Sequence, residues 1–365
     1  MKPFKLILIL LFIHCAKEPP CSPFDSSCNL TGYLLPNLLR RGVTNQTSNT
    51  IPSNTSTINF AGASSLSILS ATSVRLSWTP ATSSSSSQSA LVYTVYSSNT
   101  TGTQNFSTPL ATSSAGASEI TLTGLTANTD YYLIVRARDP NGREDSNREE
   151  KAALLNGMIR YIPLDATTLT DKITGTVVTS TNGPLLNATD RRGIANNAYT
   201  LVSASNQRFN YSTTGLPIGN ANRTICFWAK LDSLLAANIF SSYGIDAANQ
   251  IFTYRFTLAS NNLLLSTFTS PEAIISLTAD TSTNLLNWNH LCVSLQSLSL
   301  VSFYINGIPR MVNFSQGGPI NTTLGNAAIG CNADGLGPTL NGKVAEFSFW
   351  NRALTASEIA IVYKN

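Results

Sequence analysis

Short runs in which apolar and polar residues alternate fill this chain from about residue 60 onward. SVRLSW places Val74, Leu76 and Trp78 on one face, LVYTVY does the same for Tyr93 and Val95, and ASEITLTGL for Ile120 and Leu122. In DYYLIVRARDPNG, Tyr131, Leu133, Val135 and Ala137 point one way before a Pro-Asn-Gly turn. About seven such strands across residues 55–155, with no cysteine pair, predict an open-ended β-sandwich. A second series covers residues 157–365: RTICFWAKL, NIFSSY, IFTYRFTLA, HLCVSL, LVSFYIN, AAIGC and KVAEFSFW, separated mostly by Asn, Gly, Asp and Ser. One helical pattern closes the chain, TASEIAIVY, with Thr355 or Ser357 able to cap it. Many strands and almost no helix predict an all-β protein whose second sandwich is of jelly-roll type.

One stretch raises a chemical question. In WNHLCVSLQSLSLVSFYINGIPR, His290 and Cys292 are the residue types of a base and its nucleophile. Strand alternation instead puts Trp288, His290, Cys292 and Ser294 on one face, with Leu291, Val293 and Leu295 on the other. Asn306-Gly307 is the preferred pair of a tight type I′ turn. The stretch therefore reads as two strands and a hairpin.

Composition changes the address more than the fold. Charged residues make up only 12 % of the 365 and net charge is +4, with basic residues scattered, so no nucleic-acid-binding stripe stands out. Lys2 and Lys5 precede an apolar run, Leu6 to Ile13, which ends at His14-Cys15. That run reads as a secretory signal, expected over residues 1–14, and is too short for the ~20 apolar residues a membrane span needs. Residues 15–54 are mostly small, polar or proline and read as a disordered tether of about 35 Å mean reach. Its apolar segment 32–41 has no assigned role. Cys21 and Cys28 are near enough to bridge a small loop, and without a nearby histidine their spacing is not a zinc pattern. Cys331 is left over and reads as a buried thiol.

These patterns resemble known families. The start is similar to the lipobox of bacterial lipoproteins, with Cys15 as the lipidated residue; the looser spirochaetal form accommodates His14 and Phe12. Trp78, Tyr93 to Tyr96, and Leu125-x-x-x-Thr129-x-Tyr131-x-Leu133-x-Val135-x-Ala137 resemble a fibronectin type III domain. The resemblance makes Tyr131 the tyrosine-corner residue. It also implies a spacer role, since the loop from Asn141 to Asp145 lacks an Arg-Gly-Asp tripeptide. YIPLD, DRRGIANNAY, TICFWAK, WNHLCVSL and LNGKVAEFSFWNRALTASEIAIVY follow in order the landmarks of laminin-G-like domains, in the concanavalin A-like group that includes pentraxins. The pentraxin resemblance implies a disulfide between Cys226 and Cys292, the expected fate of such a pair in a secreted chain.

The same group contains glucanases and calcium-dependent binders. A retaining glycosidase needs two carboxyl groups about 5–5.5 Å apart, and no Glu-x-Asp-x-(x)-Glu run follows residue 157; Glu272, Glu346 and Glu358 are isolated. Catalytic residues are therefore not expected. Of the calcium positions the resemblance implies, Asn249, Asn332 and Asp334 remain, one carboxylate among amides where calcium takes 6–8 oxygens. That set predicts a weak site or none. Trp228, Trp288 and Trp350 read as core, with Tyr243, Tyr254 and Tyr304 as weaker candidates for a ligand face. The expectation is a lipid-anchored protein of the bacterial outer membrane or cell surface, whose jelly-roll head binds a glycan or an extracellular host or matrix protein, as an adhesin does. The alternatives are a structural or masking surface protein without a dedicated ligand and, more remotely, a polysaccharide hydrolase.

Overall fold

The computed structural model describes residues 57–166, 169–233, 238–244, 252–259, 262–268, 284–296, 300–315, 322–333, 335 and 339–365. The signal and tether, with Cys15, Cys21 and Cys28, lie outside the described residues, as do Asn249 and Asp334. No helix among the described residues is long and apolar enough to cross a membrane.

The first sandwich runs β1 (Ile58–Asn59), β2 (Ser65–Ser70), β3 (Ser73–Ser77), β4 (Thr82–Ser83) and β5 (Val92–Ser98), then β6 (Ala111–Thr112), β7 (Glu119–Leu122), β8 (Asp130–Arg138) and β9 (Glu150–Leu154). One sheet is ordered β2-β3-β7 and the facing sheet β6-β5-β8-β9. The alternation read from the sequence holds: Val74, Leu76, Tyr93, Val95, Leu133 and Val135 are fully buried between them. Tyr131 accepts a 2.9 Å hydrogen bond at its hydroxyl from the Thr126 backbone N–H, which is the tyrosine corner.

The second sandwich begins with β10 (Met158–Ile162), β11 (Thr179–Thr181), β12 (Leu186–Ala188), β13 (Ala198–Leu201), β14 (Arg208–Asn210) and β15 (Arg223–Leu231). It continues through β16 (Asn238–Gly244), β17 (Phe252–Ala259), β18 (Asn262–Phe268), β19 (Asn289–Gln296) and β20 (Leu300–Ile305). Then come β21 (Ile308–Ser315), β22 (Asn326–Ile329), β23 (Gly342–Trp350) and α1 (Ala356–Lys364). Among the described residues an eight-stranded sheet is ordered β12-β13-β23-β15-β19-β20-β21, with β10 also on β23, and faces a six-stranded sheet β11-β14-β22-β16-β17-β18. Leu291, Val293 and Leu295 enter the core between the sheets, with Phe209, Phe227, Phe303 and Phe347. Asn306 and Gly307 carry the two positive φ angles, 53° and 73°, that a type I′ hairpin requires. Thr355 caps α1 and forms a capping box with Glu358.

The opposite face of the eight-stranded sheet is covered too, which the sequence did not suggest. A second hydrophobic cluster starts in the first sandwich and runs through Leu154, Leu155, Met158, Cys226, Cys292 and Tyr304 to Trp350, Leu354 and Ile359. Polar contacts close the seam. Trp350 Nε1 donates 2.7 Å to the Leu154 carbonyl, and Arg352 pairs with both Asp130 (3.1 Å) and Glu358 (2.6 Å). Lys151 donates to the Lys364 carbonyl, and the Asn365 side chain bonds the backbone of Ala152 in both directions. The first sandwich is packed directly against its neighbour.

Candidate ligand cleft between the two sandwiches

The residues that looked most chemical in the sequence are buried and occupied. Cys226 and Cys292 face each other across β15 and β19 with Cα atoms 4.2 Å apart, and they form a disulfide. His290 lies two residues before Cys292 on the same face, its ring nitrogens 3.7 and 3.8 Å from the Cys292 sulfur. It packs tilted against both Trp228 and Tyr363, with ring centroids 5.2 and 6.0 Å away, and is only 2 % exposed. Burial, reinforced by the nearby Arg191 charge, lowers its pKa to about 3. A neutral imidazole beside an oxidised sulfur is neither a base–nucleophile pair nor, with both thiols in the cystine, a metal-ligand set.

The aromatic candidates behave similarly. Trp228 and Trp350 are buried, and Trp288 is half-buried against Trp228. Tyr243 and Tyr304 are buried as well, so neither belongs to a ligand face; Tyr254 sits on β17. Burial raises the Tyr243 pKa beyond the ordinary range, and its ring is tilted against that of Phe349 with centroids 5.4 Å apart. Of the calcium candidates, Asn332 is placed in a turn where its carbonyl accepts from the Gly335 N–H and the Cys331 thiol. Cys331 is a buried thiol outside any disulfide.

The open polar site lies elsewhere. A cleft of ≈ 690 Å³ separates β2 and β3 of the first sandwich from the loops around β10, Asp190–Asn197 and Glu346 of the second. The strand pattern builds its first wall. Leu66 and Ile68 of β2, and Val74 and Leu76 of β3, point into the core. Ser65, Ser67, Arg75 and Ser77 must then point out. Ser67 is directly opposite Arg75, and Ser65 opposite Ser77. On its other side Arg75 faces Thr121 of β7. Arg75 is exposed, with no ion-pair or hydrogen-bond partner among the described residues.

The second wall is a braced charge network. Asp190 accepts from the backbone N–H groups of Arg192 and Ile194 and from the Asn197 side chain, which rolls the Asp190–Asn197 segment into a tight loop. These bonds, with the Arg192 charge, keep its carboxyl below the usual range despite burial. Arg192 spans Asp190 (3.2 Å) and Glu346 (3.2 Å), while Arg191 reaches the other Glu346 oxygen at 3.5 Å. The Arg191 guanidinium lies over the Trp228 ring, 4.2 Å from its centroid. Glu346 sits at a register shift between β15 and β23 with φ 52°, a left-handed conformation that costs a non-glycine residue about 1–3 kcal/mol. Two arginines and a bond from its N–H to the Pro163 carbonyl (2.9 Å) hold it there.

Sequence reading named Glu346 as an isolated carboxylate and passed over Arg75, Arg191 and Arg192. The outward position of Arg75 was readable from the alternation in SVRLS; the face it opposes, formed by residues 85 or more positions away, left no local signal.

The fold and cleft define an all-β protein of two packed sandwich domains. Residues 63–152 match the fibronectin type III domain, and residues 197–360 match the concanavalin A-like lectin/glucanases superfamily. A comparison with curated proteins returned no match. Among solved structures, the chain is similar to domain 4 of AbnA, a GH43 extracellular arabinanase from Geobacillus stearothermophilus, in complex with arabinotriose. The identity is 20 %, covering 57 % of this chain and 98 % of that one, with a TM-score of 0.44. It is also similar to the binding domain of Paraclostridial Mosquitocidal Protein 1 (16 % identity, 57 % and 52 % covered, TM-score 0.44). The receptor binding domain of botulinum neurotoxin D gives 17 % identity, 57 % and 52 % covered, and a TM-score of 0.43. The match spans about half the length of these two toxin chains.

Proposed function

We propose that this chain is a lipid-anchored surface protein whose paired sandwiches recognise a glycan or an extracellular protein, as an adhesin does, and transform nothing. The observation that carries this reading is the ≈ 690 Å³ interdomain cleft, whose two walls mix polar and charged groups with apolar ones and which is braced by the Glu346 network. Concave sites of some 300–1,000 Å³ at domain interfaces are one of the preferred settings for ligand binding. Binding rather than hydrolysis is favoured because both Glu346 oxygens are engaged by arginines, which leaves that carboxylate occupied. The anchor is Cys15, and the signal preceding it directs the chain out of the cytoplasm. A weak calcium site at Asn249, Asn332 and Asp334 remains part of the proposal.

Two measurements test it. Palmitate incorporated by the wild type should be absent from Cys15→Ser; equal labelling of both, or of neither, removes the anchor. The purified full chain should bind immobilised glycans or matrix proteins, and loss of binding in chelator would assign calcium a role. A chain that binds none of them is a masking or structural protein. Release of sugar from a polysaccharide, abolished by Glu346→Gln, would make it an enzyme.

A further inference from the structure

We propose that the interdomain cleft is the recognition site and that it takes an anionic oligosaccharide, whose carboxylate or sulfate ester meets Arg75. The inference rests on the recognition reading above and supplies its ligand chemistry. Three observations converge on it.

The first is charge. Arg75 stands on the first wall, opposite Lys172, Arg192, Asp165 and Glu346 on the second, an excess of one cation over the whole lining. Arg192 is already neutralised by Asp190 and Glu346. Arg75 is exposed and carries no such partner among the described residues. Its planar guanidinium presents parallel N–H donors that match a carboxylate or sulfate in two-point contact. An unpaired arginine at the centre of a sheet face, inside a cleft, is placed for a ligand anion.

The second is the chemistry around that cation. Ser67 lies directly across from it on β2, Thr121 on β7, and Ser65 and Ser77 two register positions further along on the same face. Hydroxyls that both donate and accept suit a polyhydroxylated ligand. The apolar residues on this wall, Ile68, Leu69 and Trp78, flank the serines and Arg75, and Ile68 and Trp78 are buried in the domain core, so the outward face offers a saccharide polar groups beside a flat apolar margin.

The third is rigidity. The second wall cannot drift, because Arg191 and Arg192 clamp Glu346 and Arg191 is itself stacked on buried Trp228. The first wall is fixed to it by the shared hydrophobic cluster. A preformed cleft spares the ordering cost that weakens binding to mobile surfaces.

The test is a glycan array printed with uronate-bearing, sulfated and neutral oligosaccharides, plus oligoglutamate peptides, probed with the full chain. Wild type should bind acidic saccharides, and the uronate and sulfate spots distinguish the two anions. Arg75→Gln should weaken that binding at least tenfold with an unchanged thermal midpoint, and Ser67→Trp, which fills the cleft opposite Arg75, should do the same. Acidic spots retained at full strength by both variants would overturn the cleft assignment while leaving recognition itself standing. Equal binding to neutral glycans would overturn the anionic ligand, and equal binding to oligoglutamate would overturn the saccharide. A wild-type chain that lights no spot would overturn this inference, and the reading beneath it falls as well only if immobilised matrix proteins are also left unbound.

Discussion

Burial holds the His290 imidazole neutral down to about pH 3, whereas in the unfolded chain it protonates near pH 6.5. Between those values the unfolded state binds the extra proton. This group's contribution is therefore complete above pH 6.5 and is lost as the pH falls toward 3, at up to roughly 1.4 kcal/mol per pH unit. Carboxylates titrate in the same window, so the informative quantity is a difference. His290→Gln should lose stability less steeply than wild type between pH 6.5 and 4 in urea titrations; parallel curves would show that His290 is protonated in the folded protein. The same residue shows what the sequence could and could not reveal. Its strand placement and its face were legible from two-residue alternation. Its neutrality was not, because it depends on Trp228, Tyr363 and Arg191, which come from three other parts of the chain.

At the scale of elements, β15 and β19 pair in one register from Arg223↔Leu295 to Ala229↔Asn289, with the cystine at its centre. The disulfide closes a separation of 66 residues. Restricting a loop of that length in the unfolded chain stabilises the fold by about 4 kcal/mol on the chain-entropy argument. Cys226→Ala with Cys292→Ala should lower unfolding free energy by about 2–4 kcal/mol without changing the β-sheet circular dichroism spectrum. An unchanged urea midpoint would mean that hydrogen bonding and packing already fix this register. The elements themselves were readable where local chemistry sets them: the Asn306-Gly307 turn, the Thr355 cap and the Tyr131 corner all stand where the residue types place them. β19 shows the limit. Both its faces are buried, one in the jelly-roll core and one beneath the first sandwich and α1, and its sequence could not show what covers the second.

Across the whole molecule, the two sandwiches are coupled by groups that lie far apart in sequence. Arg352 joins Asp130 to Glu358, and Trp350 donates to Leu154, across separations of 222 and 196 residues. Such contacts have no local signature, which is why the first sandwich reads as a spacer from sequence and as half of a cleft in three dimensions. Arg352→Ala removes two ion pairs and the 2.8 Å bond to the Asn156 carbonyl, on a side chain about a quarter exposed. It should loosen the seam more than either domain, so amide exchange should quicken in β9 and α1 while the β5–β8 ladder is unaffected. Uniform acceleration across the chain would mean that Arg352 supports global stability instead.

Scanning calorimetry of the full chain tests most directly whether the two domains form one body and so hold a fixed cleft between them. A shared core predicts one endotherm with calorimetric and van't Hoff enthalpies in agreement, shifted as a unit by substitutions on either side of the seam. Two resolved transitions, one moved only by changes in residues 57–155 and the other only by changes in residues 157–365, would contradict it.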